Sequence, residues 1–267
     1  MSVIEDNSFS RLLRITNEDS VNPTDTISDF TINLNRMIET NNIVRIVVKS
    51  VSFMNNAYNV YTSGELKNNT FEYEVKGAGT FTEDLPVDGF YTTKNILDIL
   101  QPVILAQLQL VDGGATLSME LDEITNKVKI TLTGGAVLIL NGATGAGSLN
   151  RFLGNTVDSG DITGTYYLDR MADLQGLTKV YIHSLEMGEG NLVDCDVEVH
   201  DVISEIPVQV PFGTLVSYES NDDELDSVNY ASVRNFDSIN ISLRNDKDIN
   251  IPLNGGELTV ILKMYYI

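Results

Sequence analysis

The stretch Glu257–Ile267 constrains the fold more than any other part of the chain. It reads Glu-Leu-Thr-Val-Ile-Leu-Lys-Met-Tyr-Tyr-Ile, a series dominated by β-branched, aliphatic and aromatic residues. Such residues suit a pleated, half-buried surface, so the segment predicts one β-strand. End segments fray unless they are tied into a sheet, and this one is therefore expected inside a core sheet. Just upstream, Ile239, Ile241 and Leu243 alternate with Asn240, Ser242 and Arg244, and a polar loop joins the two segments. The pair predicts a mostly β protein whose core strands run to the last residue.

The same alternation recurs along the chain. Phe30, Ile32 and Leu34 alternate with Thr31 and Asn33, and Ile43–Phe53 is a long β-branched run carrying Arg45 and Lys49. Phe71, Tyr73 and Val75 alternate with Glu72 and Glu74, and Val128, Ile130 and Leu132 alternate with Lys127, Lys129 and Thr131 after a Thr125-Asn126 turn. Ala136–Leu140 reads as a short buried strand, while Val180 with Ile182 and Val197 with Val199 start two more. A period of two marks strands with one buried face, and about ten strands are expected. Helical signal is scarce. Ile96, Ile99, Leu100, Val103 and Ile104 form the apolar face of a helix beginning at Thr93, which Thr92 or Thr93 can cap. Pro102 lies inside it and is expected to kink or split it. A second, short helix is expected over Ser148–Leu153, stopped by Gly154. Residues 1–27 are rich in Asn, Asp, Ser and Thr and end at the turn signal Asn22-Pro23-Thr24, so they read as an N-terminal arm. With no repeat and no linker, residues 28–267 read as one domain with an insertion at about 80–126.

Composition removes several function classes. A net charge of −21, from 38 acidic and 17 basic residues, repels phosphate backbones and anionic lipid. Neither direct nucleic-acid binding nor a membrane partner is expected. One cysteine, Cys195, permits no intrachain disulfide, which points to a reducing compartment. The N-terminal residues Met1–Asn7 lack the basic start and apolar run of a signal peptide.

No enzyme signature stands out. There are two histidines, His183 and His200. His183 falls on the strand face opposite Val180 and Ile182, and His200 follows the acidic segment Asp194–Val199. Zinc sites use closer and more repetitive ligand spacing than Cys195, His200 and their neighbouring carboxylates offer. Cys195 is in phase with Val197 and Val199, as a small buried hydrophobe would be. The acidic run Asp222-Asp223-Glu224-Leu225-Asp226 lacks the spaced ligands of a calcium loop and reads as solvated. Gly142–Gly147 lacks the lysine of a phosphate loop and reads as plain loop. No catalytic, cofactor-binding or metal-binding residue is assigned, no cofactor is expected, and the chain is read as a non-enzyme.

A pattern of short motifs carries a resemblance. Val47–Asn59 (Val-Val-Lys-Ser-Val-Ser-Phe-Met-Asn-Asn-Ala-Tyr-Asn) is followed by Asp88–Thr92, Arg151–Gly154, Val180–Ser184, Ile206-Pro207-Val208 and Pro211-Phe212-Gly213. Ile241–Asp246, Leu253-Asn254 and Leu258–Tyr266 complete the order. This succession, spanning most of residues 28–267, resembles the minor capsid (penton) proteins of virophages, polinton-like viruses and related DNA viruses of protists. Asn245-Asp246-Lys247 departs from the Asp-x-Gly turn usual there. The resemblance implies an all-β single jelly roll, a sandwich of two antiparallel sheets with helix-containing loop insertions. It also implies a homopentamer at the vertex of an icosahedral capsid, with a double jelly-roll major capsid protein as partner. The protein would be made in the host cytoplasm and reside in the virion. Contact residues are then expected in the segment before Pro23 and at Asn55, Asn56, Tyr58, Asn59 and Tyr61. The alternative is a receptor- or carbohydrate-binding β-sandwich, a fibre head or lectin-like module, for which Tyr218 beside Asp222, Asp223 and Glu224 is the candidate site.

Overall fold

A computed structural model of the chain describes residues 9–20, 28–34, 42–142, 149–174, 176–188, 201–220, 227–254 and 256–267. Three strands come first: β1 (Phe9–Thr16), β2 (Asp29–Asn33) and β3 (Ile43–Met54). Next are β4 (Thr70–Val75), β5 (Gly79–Asp84), helix α1 (Thr93–Val111), β6 (Thr116–Leu121), β7 (Val128–Thr133), β8 (Leu138–Leu140), helix α2 (Leu149–Phe152) and β9 (Thr165–Tyr167). The last six are β10 (Lys179–His183), β11 (Val202–Pro207), β12 (Leu215–Glu219), β13 (Ser227–Arg234), β14 (Ser238–Arg244) and β15 (Thr259–Tyr266). The chain divides into two units, Met1–Ala57 with Leu177–Ile267, and Tyr58–Gly176.

The first unit is a jelly-roll sandwich of two antiparallel sheets. One has the order β1-β15-β3-β12, with β13 also paired to β3, and the other has the order β11-β10-β14-β2. The C-terminal strand β15 lies inside the larger sheet, between β1 and β3. Val260, Leu262 and Met264 of β15 point into the core and are fully buried, while Thr259, Ile261, Lys263 and Tyr265 alternate outward and are half-buried. Inward residues of both sheets meet in one cluster that includes Phe30, Ile46, Phe53, Ile182, Ile241 and Leu262. Each such aliphatic or aromatic side chain contributes about 1.5–3 kcal/mol on burial. Among the described residues fifteen strands form, more than the alternation signals alone marked.

The N-terminal segment differs from the arm expected over residues 1–27. Phe9–Thr16 pair with β15 along their whole length, and Leu13 and Ile15 are buried. A 3-10 turn at Asn17–Asp19 fastens the end of the strand, where the Asn17 amide donates to the Leu258 carbonyl and the Asn17 side chain accepts from the Leu258 amide. Strand formation here depends on pairing with a distant partner, which no local pattern shows.

The second unit, Tyr58–Gly176, starts before and ends after the insertion expected at about 80–126. It holds two three-stranded sheets, β5-β4-β8 and β6-β7-β9, and a separate core that includes Phe71, Tyr73, Ile104, Ile130 and Leu138. Helix α1 starts at Thr92, whose hydroxyl accepts from the Asn95 amide while the Asn95 side chain accepts from the Thr92 amide. The helix runs alongside β6 and satisfies polar groups there. Gln101 Oε1 accepts the Met119 amide at 2.9 Å, and Gln109 Nε2 donates to the Ala115 carbonyl at 3.2 Å.

Of the kink or split expected at Pro102, the split does not occur: the helix is one element from Thr93 to Val111. The proline removes the hydrogen bond to the carbonyl of Asp98. Both residues lie on the exposed side, where solvent can satisfy the freed carbonyl. Helix α2 ends as expected at Gly154, with φ of 95°, and a Cβ there would collide with the Arg170 carbonyl.

Candidate assembly surfaces

The contact segment expected at residues 55–61 is committed to its own units. Asn55 is buried, its side chain donates to the Val210 carbonyl at 2.9 Å, and its backbone bonds to Thr214 and Gly213. Buried Asn59 donates to the Tyr91 and Leu174 carbonyls at 2.8 and 3.0 Å, accepts from the Tyr91 amide, and offers its own carbonyl to the Asn68 side chain. These bonds hold three loops of the second unit together where the chain enters and leaves it. Asn56 accepts from the Asn254 side chain through its carbonyl. Tyr58 and Tyr61 pack with ring centroids 6.2 Å apart. Burial, and to a lesser degree the nearby Asp88 carboxylate, push the Tyr61 phenol up to about 12. Asp88 is itself held below the usual carboxylate range by the Thr62 hydroxyl and amide.

His183 sits in a polar cluster of the first unit. The imidazole is 1% exposed and lies beside a bulge in the pairing of β10 with β11, where Ile203 of β11 has no partner between Ile182 and His183. Its Nδ1 lies 2.9 Å from Asp201 and 3.8 Å from Asp248, and Asp248 in turn pairs with Arg244 at 2.9 Å. The Asn245 turn beside this cluster replaces the expected Asp-x-Gly chemistry. The Asn245 side-chain oxygen accepts the amides of Lys247 and Ile249, and Asp248 takes a left-handed φ of 60°. Across the β10–β14 ladder His183 faces Ser242, and no hydrogen bond joins the two side chains among the described contacts. Among the described residues no group of three or more His, Cys, Asp or Glu is placed to hold a metal ion. Cys195, His200, Val197, Val199, Asp222–Asp226 and most of the 142–147 loop lie outside the described residues.

The lectin-like alternative fares poorly at its aromatic residue. Tyr218 is half-buried and packs against the sandwich core rather than standing out as a sugar platform. In the second unit, Phe90, Tyr91, Leu121, Ala172 and Leu174 help line an open cleft of about 300 Å³. The adjoining β6–β7 turn presents Ile124 at 95% exposure. Asp122 sets that turn, accepting the amides of Ile124 and Thr125 and the Thr125 hydroxyl. The Thr125-Asn126 turn was legible in the sequence, whereas the exposed Ile124 beside it was not, because a single apolar residue at a hairpin tip leaves no pattern. No helix is long and apolar enough to cross a membrane among the described residues.

The architecture is that of a jelly-roll protein with a second, strand-rich unit carried between its third and tenth strands. The sequence matches no protein-family profile and no curated protein. Among solved structures it is similar to the crystal structure of the selenomethionine-labelled mavirus penton protein, with a TM-score of 0.55 and 11% sequence identity. The likeness covers 97% of this chain and 100% of that one. It is a likeness of fold, and it agrees with the virophage penton-like jelly roll that the order of motifs implied.

Proposed function

We propose that the chain is a structural minor capsid protein that forms the vertex of an icosahedral DNA virus shell. Five copies form a ring, a double jelly-roll major capsid protein surrounds it, and the protein performs no catalysis. The observation that carries this reading is the likeness to the mavirus penton protein over nearly the full length of both chains. Sandwich units with loops at both ends can close a ring through repeated head-to-tail contacts. The surplus of carboxylates leaves the packaged nucleic acid to other proteins of the virion.

Native mass spectrometry of the purified protein at several ionic strengths tests the reading. A species at five times 29.4 kDa is expected, favoured by salt that screens repulsion between acidic copies. A stable trimer would overturn the vertex assignment and point to a fibre head or a hexon-like role.

A further inference from the structure

Helix α1 is apolar on more of its circumference than its own unit covers. Ile96, Leu97, Leu100, Ile104 and Leu108 are buried in the second core. A second set, Ile99, Val103, Ala106 and Leu110, follows the spacing four, three, four and lies outside that core. Leu110 is 77% exposed, Ile99 and Ala106 are exposed and Val103 is half-buried, and Pro102 and Val111 beside the set are exposed too. From Ile99 to Val111 the helix carries no charged residue, in a chain of which 21% is charged.

We infer that this stripe is a helix–helix seam between copies, in which α1 of each subunit lines the axis of the ring. The inference rests on the ring proposed above and names one of its contacts. Three observations choose a second copy as the occupant. First, the four-three-four spacing places Ile99 and Ala106 at d positions and Val103 and Leu110 at a positions of a heptad, the pattern that packs against an equivalent helix. The mixed a (Val103, Leu110) and d (Ile99, Ala106) residues fix no helix number by themselves, so the copy number comes from the ring. Second, each copy carries a net charge of −21, so identical chains repel one another wherever carboxylates would face, and α1 offers a face without any. Third, rotation about a ring axis makes equivalent helices along that axis parallel, which is the arrangement a heptad seam requires. From Ile99 to Leu110 the seam is roughly 16 Å long at the helical rise. That is small beside the ~1,600 Å² of a stable two-protein interface, so the seam acts together with other contacts of the ring.

Cysteine cross-linking tests this directly. In a Cys195→Ser background, Leu110→Cys is expected to give a disulfide-linked dimer on mild oxidation, whereas Asp98→Cys on the polar side gives none. Leu110→Glu is expected to raise the protein concentration needed for half-assembly by about tenfold or more. Residue 110 is exposed, and circular dichroism checks that the fold is retained. If the wild type forms five-copy rings, Leu110→Glu assembles equally well and no cross-link forms, the seam is overturned while the ring reading stands. If the wild type assembles into another number of copies and Leu110→Cys still cross-links, the ring reading fails and the seam holds. A wild type that stays monomeric at every concentration without cross-linking overturns the seam.

Discussion

Single residues hold the second unit at its neck and at its aromatic core. Asn59 uses its whole side-chain amide inside the fold, so Asn59→Ala leaves two carbonyls and one amide without partners. The expected cost is about 2–3 kcal/mol, read as a lower urea midpoint of the transition that reports Tyr58–Gly176. The tyrosines predict an alkaline limit. Tyr61 is pushed up to about 12 by burial, and Tyr73 likewise by burial together with the Glu83 carboxylate. Their ordinary value of 10.0 applies once the chain unfolds, so the folded state holds these protons more tightly. The stability they contribute is complete below about pH 10 and is lost as the pH rises through the folded value. Tyrosinate absorbance and circular dichroism should therefore change together above about pH 10 in the wild type. In a Tyr61→Phe, Tyr73→Phe double variant the loss of structure should come at higher pH. A wild-type fold that survives with both phenols ionised would refute the assignment. The burial of Tyr73 was legible in the alternation of β4, whereas the environment of Tyr61 was not. Tyr61 read as a contact-loop aromatic, because its partners Tyr58 and Asp88 come together only after the 58–62 and 87–92 segments fold.

Elements were legible wherever one face alone decides the structure. β2, β4, β7, β14 and β15 carry buried apolar residues at every second position, and β3 shows as a long β-branched run with six buried apolar residues. β1 escaped notice because only Leu13 and Ile15 mark its inward face and Leu12 breaks the alternation. β5 was missed because it has no buried residue at all, being held by its ladder with β4. Edge strands like these are specified by their partners rather than by their own pattern. The central strand should show the reverse dependence. Leu262→Ala in β15 is expected to cost about 2–5 kcal/mol, measured by chemical denaturation, since the side chain is fully buried between two sheets. Leu12→Ala on the exposed side of β1 should change stability by about 0.5 kcal/mol or less.

At the scale of the whole molecule, the two cores are separate clusters with no residue in common. Residues 58–176 expressed alone should therefore unfold cooperatively, with their own protected amides in hydrogen exchange. A spectrum without dispersed amides would show that the second unit depends on the first. The sequence resemblance carried the jelly roll, and the insertion read at about 80–126 falls inside the larger unit Tyr58–Gly176. Its contact residues at 55–61 proved to be partly internal joints, because polar loop residues look the same whether they face a neighbour or their own backbone. The same topology has a bearing on synthesis. Strands β1 and β3 emerge early and find their shared partner β15 only after more than two hundred further residues, as the Arg14–Glu257 pairing across 243 positions illustrates. Between these events the complete second unit, a contiguous segment, can finish folding. The early strands meanwhile wait with open edges, the state in which a nascent β protein most needs a chaperone's shelter.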